Sequence, residues 1–321
     1  MAATEATAPF RPAAGVLGLP AADLDALLTG GLTADAVVLG VPFDGGVPGL
    51  PGQRHGPELL RHHSPSHPWE VDGAGRLGGV LDPVSRRGVL TGRRVFDLGD
   101  LGSVPIDPRV PRAAYYRTLR ELSAQLADHT RVPVFIGGDH SVTGPIATGL
   151  ADVHGPLDLV CFDAHLDFHS RPIPDFADLT HADFIGHLLQ VGAIARADVH
   201  GVRAYLPAEA GPVPPEVTSR YAFEPAPHPG AAPVHLSVDL DVIDPAEFPG
   251  TGHPEPGGYR LRELLAAVGH VCRTRRVVGV DIVEATYEEH ANRVTGTTIA
   301  TVLMTCLRAL LEEPDEAEGD A

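Results

Sequence analysis

The stretch Cys161-Phe162-Asp163-Ala164-His165-Leu166-Asp167-Phe168 decides how this chain folds. The apolar run that leads into it, with Leu157, Leu159, Val160 and Phe162, reads as a buried strand, and Asp163, His165 and Asp167 then follow two residues apart. On extended backbone that spacing sends all three side chains to one side. Two carboxylates and an imidazole crowded together away from water repel one another unless a cation sits between them. The stretch predicts a strand that ends in a metal site.

The same pattern recurs outward in both directions. An apolar run at 132–136 ends in Gly137-Gly138-Asp139-His140-Ser141, one at 234–238 ends in Asp239-Leu240-Asp241, and one at 277–280 ends in Asp281-Ile282-Val283-Glu284. A further strand is expected at 36–41. Between these runs lie helical patterns. Pro57 fits the first turn of a short helix reaching His63. Tyr115, Leu119, Leu122 and Leu126 recur at helical spacing over 111–129. Thr180 is placed to cap a helix carrying Phe184, Leu188 and Val191, and further helices are expected around Leu261, Leu264, Leu265 and Val268 and over 298–311. Residues 64–110 are rich in turn formers and yield no clear element. Strands alternating with helices predict an α/β fold: three layers, α/β/α, around a mostly parallel central sheet. Such sheets bind ligands at the carboxyl ends of their strands, where the acids and histidines fall.

The chain has 321 residues and a formal charge of −18, which argues against nucleic acid or an anionic membrane as a partner and suits a cationic small molecule. It has no lysine, so lysine Schiff-base chemistry and phosphate-loop lysines are excluded. Cys161, Cys272 and Cys306 lie in apolar stretches without paired spacing and read as buried free thiols of a reducing compartment. The first residues lack a secretory pattern and no run approaches membrane-spanning length, so a cytoplasmic protein is expected. A flexible arm at 1–20, one domain at 21–311 and an acidic disordered tail at 312–321 complete the expected organisation.

His140, Asp163, His165, Asp167, Asp239 and Asp241 make four carboxylates and two imidazoles, too many acids for one tetrahedral zinc. With two aspartates bridging, six side chains serve two divalent ions about 3.5–4 Å apart. Oxygen-rich ligation with some imidazole favours Mn²⁺, with Ni²⁺ or Co²⁺ as other candidates.

Gly-Gly-Asp-His-Ser at 137–141, Asp-Ala-His-Leu-Asp at 163–167 and Ser-Val-Asp-Leu-Asp-Val-Ile-Asp-Pro at 237–245 resemble, in order, the three signature blocks of the ureohydrolase family. That family includes arginases, agmatinases and formimidoylglutamases. Val41-Pro42-Phe43-Asp44 and Pro51-Gly52-Gln53-Arg54-His55-Gly56-Pro57 resemble its agmatinase-like branch. The resemblance implies an arginase-like fold, commonly assembled as a trimer or hexamer. It implies one Mn²⁺ held by His140, Asp163, Asp167 and Asp239 and a second by Asp163, His165, Asp239 and Asp241. It further implies that Glu284 grips a guanidinium, that Asp167 passes a proton to the leaving amine, and that His181 aids proton exchange. A helix N-terminus at His181 would hold that imidazole neutral. The implied activity is hydrolysis of a guanidino C–N bond to urea and an amine, with agmatine or 4-guanidinobutanoate as candidate substrates.

Two departures bear on the substrate. Residues 169–175 lack the asparagine and serine pattern with which arginases read an amino-acid head, and they carry Arg171, which is placed to meet the carboxylate of a guanidino acid. After Glu284 stand Ala285, Thr286 and Tyr287 in place of the family's usual residues. The competing expectations are an amidine hydrolase of the formimidoylglutamase kind and, from another class, a non-catalytic metal-binding assembly protein.

Overall fold

The computed structural model describes residues 15–64, 67, 69–83, 86–102, 112–173, 175–205, 210–224 and 232–312. Among the described residues there are ten strands: β1 (Ala34–Gly40), β2 (Val80–Leu81), β3 (Gly88–Val89), β4 (Val95–Asp100), β5 (Thr130–Ile136), β6 (Leu157–Phe162), β7 (Ile194–His200), β8 (Val217–Arg220), β9 (Val234–Asp239) and β10 (Val277–Val283). The helices are α1 (Leu24–Leu28), α2 (Gly56–His63), α3 (Arg112–His129), α4 (Thr143–His154), α5 (Phe184–Gln190), α6 (Leu261–Thr274) and α7 (Asn292–Leu311). Eight strands form one sheet in the order β4-β1-β5-β10-β9-β6-β7-β8, and every pairing in it is parallel. The short β2–β3 pair is antiparallel.

Both faces of the sheet are covered, as the apolar runs require. Side chains alternate along each strand, so Ala36 and Val38 of β1 join one core with α2, α6 and α7, while Val37 and Leu39 join the other with α1, α3, α4 and α5. Cys161, Cys272 and Cys306 are buried free thiols. The four strands read from the sequence as ending in chemistry are neighbours at the centre: β5, β10, β9 and β6. Their register levels the carboxyl ends, pairing Ile136 with Ile282, Val283 with Asp239, and Val238 with Phe162. Loops that leave these four strands must therefore meet over one spot.

Several expectations shift. Residues 1–14 of the expected arm and 313–321 of the expected tail lie outside the described residues. Residues 15–20, however, are packed: Val16, Leu17 and Leu19 are buried, and Val16 N–H donates to Asp97 at 3.0 Å. Glu312 accepts from Leu90 N–H at 2.6 Å. α7 contradicts the expectation that no run reaches spanning length. It has 20 residues and is apolar enough to cross a membrane, but most of its apolar window is buried inside the fold. Thr180 does not cap α5, since that helix starts at Phe184 after Asp183, whose carboxylate accepts from Thr180 N–H at 2.9 Å. Phe184 and Leu188 are buried as expected, whereas Val191 is 48% exposed.

Candidate metal centre

Each loop is held in place before any ion is considered. Asp139 closes the turn after β5, accepting from Ser141 N–H at 2.9 Å and from Gly46 N–H at 2.8 Å. A Cβ at Gly138 would stand 1.6 Å from the Phe43 carbonyl oxygen, so this residue has no room for a side chain. Its own carbonyl accepts from Glu284 N–H at 2.8 Å, which ties the loops after β5 and β10 together. After β9, Asp239 accepts from Asp241 N–H at 2.8 Å, and Asp241 in turn accepts from Ala164 N–H at 3.0 Å, joining the loops after β9 and β6. Two side chains of the expected site sit on left-handed backbone: Asp167 at φ 45° and Glu284 at φ 64°. Non-glycine residues keep that conformation at a cost of about 1–3 kcal/mol, and only where the surroundings enforce it.

The structure brings all six expected ligands together. The Nδ1 of His140 lies 3.1 Å from Asp163 Oδ2, 3.1 Å from Asp167 Oδ2 and 3.0 Å from Asp239 Oδ2. Next to them, His165 Nδ1 lies 2.9 Å from Asp241 Oδ2 and 3.5 Å from Asp163 Oδ1. The donors form two groups that share Asp163, one oxygen facing each: His140, Asp163, Asp167 and Asp239 in the first, Asp163, His165 and Asp241 in the second. Asp239 stands in the first group through one oxygen, and its Oδ1 accepts from Asp241 N–H on the side of the second.

These residues fit a metal pair by their own hydrogen bonding. Ser237 donates its hydroxyl proton to Asp281 at 2.5 Å, which leaves its oxygen to accept from His140 Nε2–H at 2.9 Å. That chain puts the imidazole proton on Nε2 and aims the Nδ1 lone pair at the acids, the second-layer arrangement of a metal-bound histidine. Both His140 Nδ1 and Asp163 Oδ2 are buried without a hydrogen-bond partner. Asp281 is secured from behind by His235 at 2.7 Å and Thr143 at 3.0 Å.

The electrostatics make the same point. Burial, reinforced by Asp241 and Asp163, raises the Asp239 carboxyl well above the usual range. Burial and the charge of Asp163 push Asp167 up to about 6. Burial and Asp163 raise Asp241 as well. Asp163 is opposed by burial too, but the imidazoles of His140 and His165 beside it outweigh burial and hold it below the usual range. Burial opposes protonation of His165, yet Asp163 and Asp241 push it up to about 12. Protons are thus drawn into the centre to offset its negative charge, as happens where a cation is the intended occupant.

Glu284 and His181 lie at the rim. Glu284 Oε1 accepts from His140 N–H at 2.8 Å and lies 3.3 Å from His181 Nδ1, while Oε2 is buried and unpartnered. His181 is not held neutral. It stands in the turn before α5, and although burial opposes its charge, Glu284 pushes it up to about 9. Arg171 is turned to the buried carboxylate of Asp183 and also donates to the Asp178 carbonyl at 3.2 Å. Three neighbours were given no role by the sequence reading. Gln53 is fully buried with both amide atoms unpartnered, and its Nε2 would lie 2.5 Å from a Cβ on Gly252. His235 supports Asp281, and His253 stands beside His181 with ring centroids 5.1 Å apart. Nothing in the pattern around Gln53 or the single histidines points to a contact with the centre.

A model of the Arginase family matches residues 34–308. Proclavaminate amidinohydrolase of Streptomyces clavuligerus is 33% identical over 274 residues, covering 78% of this chain and 80% of that protein. Its solved structure superposes with a TM-score of 0.70 at 26% identity, over 94% of this chain and 99% of that one. The mitochondrial agmatinase of Gallus gallus is 30% identical over 278 residues, covering 78% of this chain and 73% of that protein. The matched length and the kinship of these proteins agree with what the strand ends already suggested: the chain belongs to the arginase family.

Proposed function

We propose that this hydrolase of linear-amidine C–N bonds works with two Mn²⁺ ions and cleaves a guanidino compound, agmatine or a relative such as 4-guanidinobutanoate, to urea and an amine. The observation that carries the reading is the pair of ligand groups sharing Asp163, with the unpartnered oxygen of Glu284 beside them. His140, Asp163, Asp167 and Asp239 would hold one ion, and Asp163, His165, Asp239 and Asp241 the other. When bound, such a pair supplies Lewis acidity and draws a nucleophile from water at neutral pH.

The chain's own side chains do the rest. Glu284 accepts guanidinium N–H groups through Oε2, its other oxygen being pinned by the His140 backbone. Asp167 takes a proton from the nucleophile and passes it to the leaving amine. His181 donates toward Glu284 and exchanges protons with solvent. The −18 charge favours a cationic substrate. The same reading carries a homo-oligomer, trimer or hexamer, and a cytoplasmic location; light scattering on the purified protein and fractionation of cells test these.

The decisive experiment is a urea-release screen of Mn²⁺-loaded protein against agmatine, arginine, 4-guanidinobutanoate, guanidinopropionate and guanidine. Turnover with urea as product supports the reading. Formamide from a formimino substrate would instead place the chain with the formimidoylglutamase-like hydrolases, and no turnover on any amidine would leave a binding protein.

Arg171 is the residue proposed to read a guanidino acid's carboxylate, and its pairing with buried Asp183 sets the expectation. A guanidinium already neutralised by a buried acid has little charge to offer a second carboxylate. Arg171→Ala is therefore expected to change KM for agmatine and for 4-guanidinobutanoate by the same factor. A rise of about tenfold for the acid alone, roughly 1.4 kcal/mol, would assign Arg171 to the substrate instead.

A further inference from the structure

Outside the six ligands, a third set of donors converges at the rim. One ligand atom from each of His181, His253 and Glu284 lies within 4.8 Å of the others. None of the three belongs to the two groups that share Asp163. Their positions are built in. Thr251, two residues before His253, bridges to Ala285, and Thr286 N–H donates to the Gly250 carbonyl at 2.8 Å, so the loop bearing His253 is pinned to the residues that follow Glu284. His181 N–H donates to the Gly46 carbonyl at 3.2 Å. A second observation points to an occupant: Glu284 is 2% exposed, and its Oε2 has no partner. A buried carboxylate oxygen without a donor is costly unless a cation or a ligand donor meets it.

Two imidazoles and one carboxylate, with the remaining positions open, form the ligand set of borderline ions such as Zn²⁺ or Co²⁺. Hard ions of the calcium and magnesium class prefer oxygen throughout. We propose that His181, His253 and Glu284 form a third divalent-metal site of the zinc class, and that its occupation withdraws Glu284 from the substrate's guanidinium. The first half stands on the geometry alone; the second rests on Glu284 being the guanidinium anchor. Zinc-class ions in excess then act as inhibitors that compete with the substrate, and by linkage the substrate weakens their binding by the same factor.

Metal-stripped protein is dialysed to equilibrium against Co²⁺, with bound metal measured per chain and the Co²⁺ absorption spectrum recorded. Wild type is expected to bind one equivalent more than His253→Ala. His253→Asp, which restores a ligand atom, is expected to keep that equivalent, and matching melting curves show that all three are folded. Equal stoichiometry in wild type and His253→Ala overturns the site. In Mn²⁺-loaded protein, added Zn²⁺ is expected to inhibit urea release competitively with the guanidino substrate, with an inhibition constant about tenfold weaker in His253→Ala. Inhibition that is not competitive, with the extra equivalent present, overturns the role of Glu284 as anchor and leaves the site standing.

Discussion

Asp239→Asn is expected to lower kcat/KM for urea release by about a thousandfold, roughly 4 kcal/mol of transition-state stabilisation, while leaving the metal-free protein at least as stable as wild type. The two halves of that result come from one fact. Asp239 Oδ2 faces His140 Nδ1 at 3.0 Å among three other acids, and burial with the charges of Asp241 and Asp163 raises its carboxyl well above the usual range. Its charge therefore strains the folded chain when no cation is present. Asparagine keeps the shape and also the oxygen that accepts from Asp241 N–H, so the turn after β9 survives. What it removes is a negative ligand. An acid serving as a structural cap would behave in the opposite way, because replacing it would reduce stability and leave activity nearly intact. Steady-state kinetics, metal content by atomic emission and melting of the chelator-treated protein decide between the two. A variant that retains its full metal content, or whose metal-free form melts several degrees lower, would refute the assignment.

The legibility of that site in the sequence has a physical cause. Parallel strands buried on both faces read as apolar runs, and an acid or histidine directly after such a run has few reasons to be there other than chemistry. This made β5, β6, β9 and β10 visible together with His140, Asp163, Asp239 and Glu284. Elements whose polar residues find partners far along the chain were not visible. β4 reads Val-Phe-Asp-Leu-Gly-Asp and looks like a turn, but Arg61 on α2 reaches Asp97 at 2.5 Å and Asp100 at 2.7 Å, which lets both acids be buried. β7 carries Arg196 and Asp198, which ion pairs to Asp158 and Arg220 accommodate near the edge of the sheet. α4 contains Gly144, Pro145 and Gly149, all nominal helix breakers. The proline sits in the first turn, and a Cβ at Gly149 would stand 2.3 Å from the Arg120 carbonyl oxygen, so that glycine is the condition for α3 and α4 to pack closely. His181 was misread for a related reason. The local Thr-His-Ala-Asp pattern suggests a cap at Thr180, whereas the acid of the same quartet closes the turn, and the carboxylate of Glu284, 103 residues further along the chain, sets the charge on the His181 imidazole.

Reloading the chelator-treated protein with Mn²⁺ is expected to raise its Tm by about 8 °C at pH 8, and the gain is expected to shrink steadily toward pH 5. The size follows from mass action, since about a thousandfold excess of ion over its dissociation constant adds roughly 4 kcal/mol, at about 2 °C per kcal/mol for a chain of this length. The pH dependence follows from where the protons sit. Asp167, Asp239 and Asp241 have raised values in the folded state, so the folded metal-free protein holds protons that the unfolded chain has released, and stability falls as pH rises from about 4 through the raised values. The histidines have the same sign. Their contribution is complete below about 6.5 and is lost as pH rises through about 9 for His181 and about 12 for His165. Asp163 has the opposite sign, because its lowered value contributes stability that is lost only on acidification. Between pH 5 and 9 the metal-free protein therefore weakens, while an ion displaces the protons and binds more tightly as they become easier to remove. Melting curves at pH 5, 7 and 9, with and without Mn²⁺, measure this directly. A gain that is flat or falls with rising pH would show that the acids are not waiting for a cation. Sodium chloride of matched ionic strength is the control, because screening over a Debye length of about 8 Å acts on exposed charges and barely reaches Asp163, Asp239 and Asp241, each 0–2% exposed.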